Sequence, residues 1–212
     1  MKKPTVPLFD TRTGDLAARA DELLEGFGET RTLPEAPTLS DGVVTLRHWR
    51  REDAPAVLVA CQDPLLAKFI PVPVPYSREH ADGFIEARRV AWAGEGEKCF
   101  AVVDAGTDEV LGTISRHPIE GIRASFGYWL APGARGRGAM TRALRLITDW
   151  TLATTDLVRL EVATDVENHA SGSVALRCGF EPEGVRRAWA IDREGRPRDY
   201  TFYVIVRDTI AP

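Results

Sequence analysis

The residues best suited to chemistry are four consecutive ones, Arg135, Gly136, Arg137 and Gly138. The stretch before them, residues 125–130 (SFGYWL), is rich in aromatic side chains, as strands are. Apolar residues then recur at the spacing of one helix face, at Met140, Ala143, Leu144, Ile147 and Trp150. A strand, a glycine turn and a helix start direct backbone N–H groups at one point, which favours an anion there. The two glycines let a phosphate approach the backbone closely.

The glycine turn does not match the two commonest phosphate-binding motifs. No Lys-Ser or Lys-Thr pair closes it, which excludes a P-loop. It lacks a third glycine and lies late in the chain, which excludes a dinucleotide-binding fingerprint. Taken alone, the turn fits equally well a purely structural helix start, in which glycine allows the turn and the arginines keep the surface soluble.

The surrounding motifs favour the anion site. The run from Arg135 resembles the acetyl-coenzyme-A loop of the GNAT N-acetyltransferase superfamily, Gln/Arg-x-x-Gly-x-Gly/Ala, with Met140 as the departure from the pattern. The block at 168–180 (NxxSxxVAxxCGF) resembles the RimJ/RimL-like branch, which includes ribosomal-protein alanine acetyltransferases. Residues 126–138 and 195–208 resemble other parts of that branch, so the resemblance spans about 38–208.

The resemblance implies a mixed α/β fold, a central sheet flanked by helices, and acetyl-coenzyme A as co-substrate with no metal. It assigns the cofactor's pyrophosphate to backbone N–H groups, and its pantetheine arm to the strand before the loop and to the block at 168–180. The expected cofactor-binding residues are Trp129, Leu130, Arg135, Gly136, Arg137, Gly138, Ala139, Met140, Thr141, Asn168 and Ser171. Ser171 is also expected to bond the thiol sulfur.

The group that deprotonates the amine is not evident from the sequence. Many GNAT enzymes carry a Glu where this chain has Ser125, and serine is not a base near neutral pH without help. His117 is the leading substitute, since a hairpin would bring it near Ser125 and its reference pKa is about 6.5. It fits a purely structural strand-end histidine equally well. Glu120 is a second candidate, and an amine of low pKa would need only water.

Three functions follow in order of preference. The first is an enzyme that acetylates a protein or peptide α-amine, or a small amine such as an antibiotic or metabolite. The second takes its acyl group from a carrier protein or a tRNA, and the third only binds coenzyme A. Tyr76 and Trp189 are predicted walls of the acceptor site.

Composition sets broad limits on the chain of 212 residues. Its net charge of −4 gives no argument for nucleic-acid binding. We expect neither a membrane span nor a secretory signal, and three cysteines at no metal spacing suit the cytoplasm.

Two units are expected along the chain. Residues 1–37 form an extension with a short amphipathic helix at 15–26, which would dock on the body or on a second subunit of a homodimer. Residues 38–212 form the GNAT domain. Its predicted helices span 53–61, 77–93, 136–155 and 168–178. Its predicted strands begin at 43 and span 99–104, 110–117, 123–130, 159–164, 183–190 and 199–207, with an extended proline segment at 71–75.

Overall fold

A computed structural model describes residues 37–92 and 96–207 of the chain. Within them, eight strands form one sheet in the order β1-β2-β3-β4-β5-β6-β8-β7. The strands are β1 (Leu39–Ser40), β2 (Val44–Arg47), β3 (Lys98–Asp104), β4 (Val110–Arg116), β5 (Arg123–Leu130), β6 (Arg159–Asp165), β7 (Glu181–Ile191) and β8 (Pro197–Val206). The helices are α1 (Ala54–Ala60), α2 (Pro64–Phe69), α3 (Arg78–Ala91), α4 (Ala139–Thr154) and α5 (His169–Arg177).

The sheet is mixed, because β5 and β6 are parallel while the other neighbouring strands are antiparallel. A parallel pair needs a crossover, and α4 provides it. Its buried side chains, among them Ala143, Leu144 and Ile147, pack on one face of the sheet. The α/β mixed sheet predicted from the sequence is therefore confirmed.

The opposite face of the sheet carries a second core. There α1 and α3 pack Val57 and Ile85 against strand residues such as Cys99 and Ala101. Ser77 caps α3 as its sequence predicts, since its hydroxyl accepts the N–H of His80. This second face also holds a large cavity.

Several elements differ from the sequence-based expectations. Helix α2 was missed because its six residues are too few to show a helical period, although Asp63 caps it and Pro64 begins it. The two-residue β1 was also missed. The predicted helix at 15–26 and its docking surface lie outside the described residues. In the described part of the chain no helix has the length and apolarity to cross a bilayer, and no cluster of metal ligands occurs.

Candidate active site

Strands β5 and β6 separate partway along their length. They pair from Arg123 with Arg159 as far as Phe126 with Val162. Beyond that point β6 continues beside β8 to Asp165, whereas β5 runs from Gly127 to Leu130 with only β4 as a neighbour. One edge of β5 is therefore open in the middle of the sheet.

Alternation along β5 determines which peptide groups face the open edge. The N–H of His117 donates to the carbonyl of Ser125 (2.9 Å), and that of Ala131 donates to the carbonyl of Leu111 (2.8 Å). The odd-numbered residues of β5 therefore face β4, and Tyr128 and Leu130 face the opening. This corrects the expectation for Trp129, whose peptide groups belong to the ladder with β4; its side chain lines the cavity described below.

The glycine loop follows β5 and leads into α4. Gly136 and Gly138 have φ of 73° and 77°, the left-handed region that favours glycine. At this end of α4, the N–H of Arg142 donates to the carbonyl of Gly138 (3.2 Å). The N–H groups of residues 139–141 precede it and lack helical partners. A Cβ at either glycine would meet no atom within 4 Å, so an anion can approach this cradle. The loop thus fits a pyrophosphate.

The loop arginines bind protein groups. Arg135 forms an ion pair with Asp63, the cap of α2, and donates to the carbonyl of Leu130 (3.1 Å). Arg137 donates to the carbonyl of Gly133 (3.4 Å). In this conformation their side chains hold the loop in shape, so the backbone is the principal anion site.

Met140, the departure from the family pattern, does not obstruct the loop. Its side chain is 3% exposed and belongs to the core under the sheet. Only its backbone faces the anion cradle as part of the first turn of α4.

The block at 168–180 forms α5 and brings Ser171 to the opening. The side chain of Asn168 caps the helix by accepting the N–H of Ser171 (3.2 Å), and Gly179 ends it with φ of 85°. The Ser171 hydroxyl donates to the hydroxyl of Tyr128 (3.1 Å), which in turn donates to the Ser171 carbonyl (3.0 Å).

Tyr128 is a site residue that sequence reasoning missed. Burial raises the pKa of its hydroxyl, which therefore remains protonated at neutral pH. Its peptide group faces the opening and its hydroxyl reaches Ser171, so it connects the strand with α5. Its place in the GYW stretch was noticed in the sequence, but α5 had to be positioned before its hydroxyl could be assigned a partner.

A cavity of about 1150 Å³ lies on the second face of the sheet, opposite α4. It is bounded by α3, the segment around 70–73, the inner strands, and β7 with β8. The predicted residues His117, Ser125, Tyr76, Trp189 and Glu120 all line it. The structure thus brings these five residues to one cavity, whereas Ser171 lies outside its lining and is connected to it through Tyr128.

The environment of His117 lowers its basicity. Burial, and secondarily the charge of Arg88, lower the pKa of the imidazole to about 4. Its Nδ1 lies 3.8 Å from a carboxylate oxygen of Glu97, which forms an ion pair with Arg88. His117 is therefore neutral at pH 7 but holds a proton weakly.

A buried carboxylate that the sequence analysis did not single out lies beside Ser125. Glu161 on β6 is the register partner of Ser125, is 5% exposed and lines the cavity. Its Oε1 accepts a hydrogen bond from Arg159 Nε (2.5 Å) and lies 3.6 Å from Arg123 Nη1. The only signal in the sequence is an acidic residue between two apolar ones, Leu160 and Val162.

The far wall of the cavity is aromatic and cationic. The rings of Trp189 and Phe202 meet edge to face, 5.1 Å between centroids. The guanidinium of Arg186 lies 3.9 Å from the centroid of Phe202 and 4.8 Å from that of Trp189. Such a wall suits flat or anionic parts of a ligand.

Helix α2 bridges the two sides of the site. Besides the contact of Asp63 with Arg135, Lys68 forms an ion pair with Glu167 (3.0 Å) after β6. Arg193, in the turn between β7 and β8, donates to the carbonyls of Ala67 (2.8 Å) and Val72 (3.1 Å). The glycine loop, the segment after β6 and the β7–β8 turn are thereby joined through one short helix.

Comparison with known proteins gives consistent matches. The model of the acetyltransferase (GNAT) domain family matches residues 44–181. YoaA, an uncharacterised N-acetyltransferase of Bacillus subtilis (strain 168), is 24% identical over 173 residues, which cover 81% of this chain and 97% of YoaA.

Two solved structures resemble the fold. RimL, a ribosomal L7/L12 α-N-protein acetyltransferase in complex with coenzyme A, superposes with a TM-score of 0.73 at 23% identity, covering 82% of this chain and all of that one. The microcin C7 self-immunity acetyltransferase MccE, in complex with acetyl-CoA and AMP, gives 0.72 at 23% identity, covering 83% of this chain and all of that one.

Proposed function

Since this chain belongs to the GNAT acetyltransferase family and is an acetyl-CoA-dependent N-acetyltransferase, we propose that its acceptor is the α-amine of a peptide or protein. The observation that carries the proposal is the cavity beside the open edge of β5. At about 1150 Å³ it exceeds the roughly 300–1,000 Å³ of small-molecule sites, so it accommodates the first residues of a chain. The name of RimL, an α-N-protein acetyltransferase, supports the same class of acceptor.

The donor site in this proposal uses two sets of backbone groups. The first turn of α4 binds the pyrophosphate, and the open edge of β5 binds the pantetheine arm. The N–H groups of Tyr128 and Leu130 are then available to the thioester oxygen, a preorganised donor whose loss costs about 10²–10³ in rate. Acetyl-coenzyme A supplies the acetyl group as a thioester.

The thiolate that leaves needs a proton. Ser171 is the proposed donor to the sulfur, with Tyr128 beside it as the hydroxyl that orients it. Neither group needs to ionise in the resting enzyme, which agrees with the raised pKa of Tyr128.

A screen for free thiol release tests the acceptor. Acetyl-coenzyme A is offered with a short peptide bearing a free α-amine, and with the same peptide acetylated at its N-terminus and carrying one Lys. We expect release with the first and little with the second. Thiol release with the blocked peptide only would mean that the acceptor is a lysine side chain and not an α-amine. A peptide that gains an acyl group, by mass spectrometry, from a loaded carrier or tRNA but not from acetyl-coenzyme A would refute the donor.

A nucleotide-bearing amine is a second candidate acceptor. The wall of Trp189, Phe202 and Arg186 offers aromatic faces and one cation to a base and a phosphate. The MccE structure, with AMP bound, supports this class. Binding of AMP by calorimetry, weakened by Trp189→Ala, would favour it over the peptide.

In this proposal the reaction takes place in the cytoplasm, on an acceptor dissolved there. The thiols of Cys61, Cys99 and Cys178 are all free, as is usual in a reducing compartment. The homodimer predicted from the N-terminal extension remains a prediction, tested by the molecular mass in solution with and without residues 1–37.

A further inference from the structure

Acetylation of an amine requires a group that removes a proton, and the acceptor cavity contains six acidic or imidazole side chains. These are Glu79, His80, Glu97, His117, Glu120 and Glu161. The group must lie where the amine can reach both it and the thioester, which is the point at which β5 and β6 separate.

Most of the six groups are poorly placed or poorly suited. Glu79, His80 and Glu120 are exposed on the rim of the cavity. Glu97 is engaged by Arg88. His117 lies deeper, but it follows β4, on the side of β5 away from the separation, and its Nδ1 lies 3.8 Å from Glu97.

Glu161 differs from these in position. Its register partner is Ser125, and the next pair, Phe126 with Val162, is the last before the strands separate. Paired residues of parallel strands project to the same face of the sheet about 4.8 Å apart. The carboxylate of Glu161 therefore lies at the base of the opening, on the cavity side, one strand away from the position that Ser125 occupies.

The contacts of Glu161 leave one oxygen available. Both arginine contacts are made to Oε1, from Arg159 and Arg123. A buried carboxylate needs such partners to offset the cost of desolvation. Neither arginine contacts Oε2.

We infer that Glu161 receives the proton that the acceptor ammonium must lose before it attacks the thioester; this rests on the proposed function. One proton passes from the ammonium to Oε2 of Glu161 and on to solvent. The neutral amine then forms the N–C bond and the C–S bond breaks. The second proton lost by the nitrogen is balanced by the one that the departing sulfur gains.

The test compares Glu161→Gln with Glu183→Gln. Glu183 binds the same arginine through both oxygens (2.7 and 2.5 Å), is outside the cavity lining, and is half-exposed. Each variant removes one negative charge from Arg159, so their difference reports the position of Glu161. Melting temperature and the affinity for coenzyme A show whether each variant is folded.

Two acceptors separate proton removal from a structural role. One is a peptide with a free α-amine, and the other is its aminooxy analogue, which is neutral at pH 7. With Glu161→Gln we expect kcat/KM to fall about 10²–10⁴-fold for the amine and less than tenfold for the analogue. With Glu183→Gln both acceptors should react close to the wild-type rate.

Equal losses for both acceptors, or none, would overturn the role of Glu161. If Glu161→Gln does not fold, Glu161→Asp is tested instead, because it keeps the carboxylate and moves it back by one carbon. We expect kcat/KM to fall again more for the amine than for the aminooxy analogue, but by a smaller factor. A wild-type protein that acetylates neither peptide refutes the proposed acceptor, whereas an active wild type with an insensitive Glu161→Gln refutes Glu161 alone.

Discussion

Replacing Gly138 by valine should weaken coenzyme-A binding far more than removing the nearby charge of Arg142. Gly138 has φ of 77° at the start of α4, and the space beside it is open. A valine there would adopt a left-handed conformation at a cost of about 1–2 kcal/mol, and its methyl groups would occupy the approach to the helix N–H groups.

The expected loss of affinity follows from the hydrogen bonds displaced. A hydrogen bond to a charged group contributes about 1.5–3 kcal/mol. Displacing one phosphate contact should therefore raise the dissociation constant about 10- to 150-fold. Arg142 is half-exposed and its Nη1 is paired with Asp41 (2.7 Å), so Arg142→Ala should cost much less.

Calorimetric titration with coenzyme A measures the effect, and Gly133→Ala is the matched control. Gly133 is in the same loop, a Cβ there also meets open space, and its φ is not positive. Its alanine variant should bind coenzyme A as the wild type does. Equal losses for Gly138→Val and Arg142→Ala would mean that side-chain charge, and not the shape of the backbone, holds the anion.

Three further outcomes are expected. Burial lowers the pKa of His117 from 6.5 to about 4, so between these pH values the unfolded chain binds a proton that the folded chain does not. As pH falls from 6.5 to 4, the wild type should therefore lose about 1.4 kcal/mol of unfolding free energy per pH unit more than His117→Gln. Urea unfolding that gives the same pH dependence for both proteins would contradict this. Ser171→Ala should lower kcat about 10²-fold or more while the affinity for acetyl-coenzyme A is retained; a loss confined to that affinity would make Ser171 a binding residue only. Arg193→Ala removes the hydrogen bonds to the carbonyls of Ala67 and Val72 and should raise KM for the acceptor alone, whereas an equal rise for acetyl-coenzyme A would refute a local role.

The sequence predicted the mixed sheet and the ends of several elements well because both depend on local signals. Strand β5 has the predicted bounds, and the cap at Asn168 and the terminating glycine at Gly179 are where they were expected. Such features depend on residues close together in the chain, so periodicity and capping chemistry are sufficient to find them.

The groups proposed to act in catalysis were harder to predict because they depend on register between distant segments. Glu161 becomes a neighbour of Ser125 only through the parallel pairing of β5 with β6. Tyr128 acquires its partner only when α5 packs across the opening. The assignment of Trp129 failed for a related reason, since a shift of one residue exchanges the two edges of a strand.

The construction of α2 has a consequence for how the two substrates are held. Within this six-residue helix only Leu66 is buried, and its other ties are ion pairs and hydrogen bonds at the surface. Such contacts contribute little free energy and weaken with salt, so this part of the chain opens locally at lower cost than α4. Amide hydrogens of α2 should therefore exchange with solvent much sooner than those of α4. If the proposed sites hold, the donor binds beside the well-packed α4 and the acceptor beside a helix that opens more easily, so the acceptor side could adapt to its ligand without disturbing the donor side.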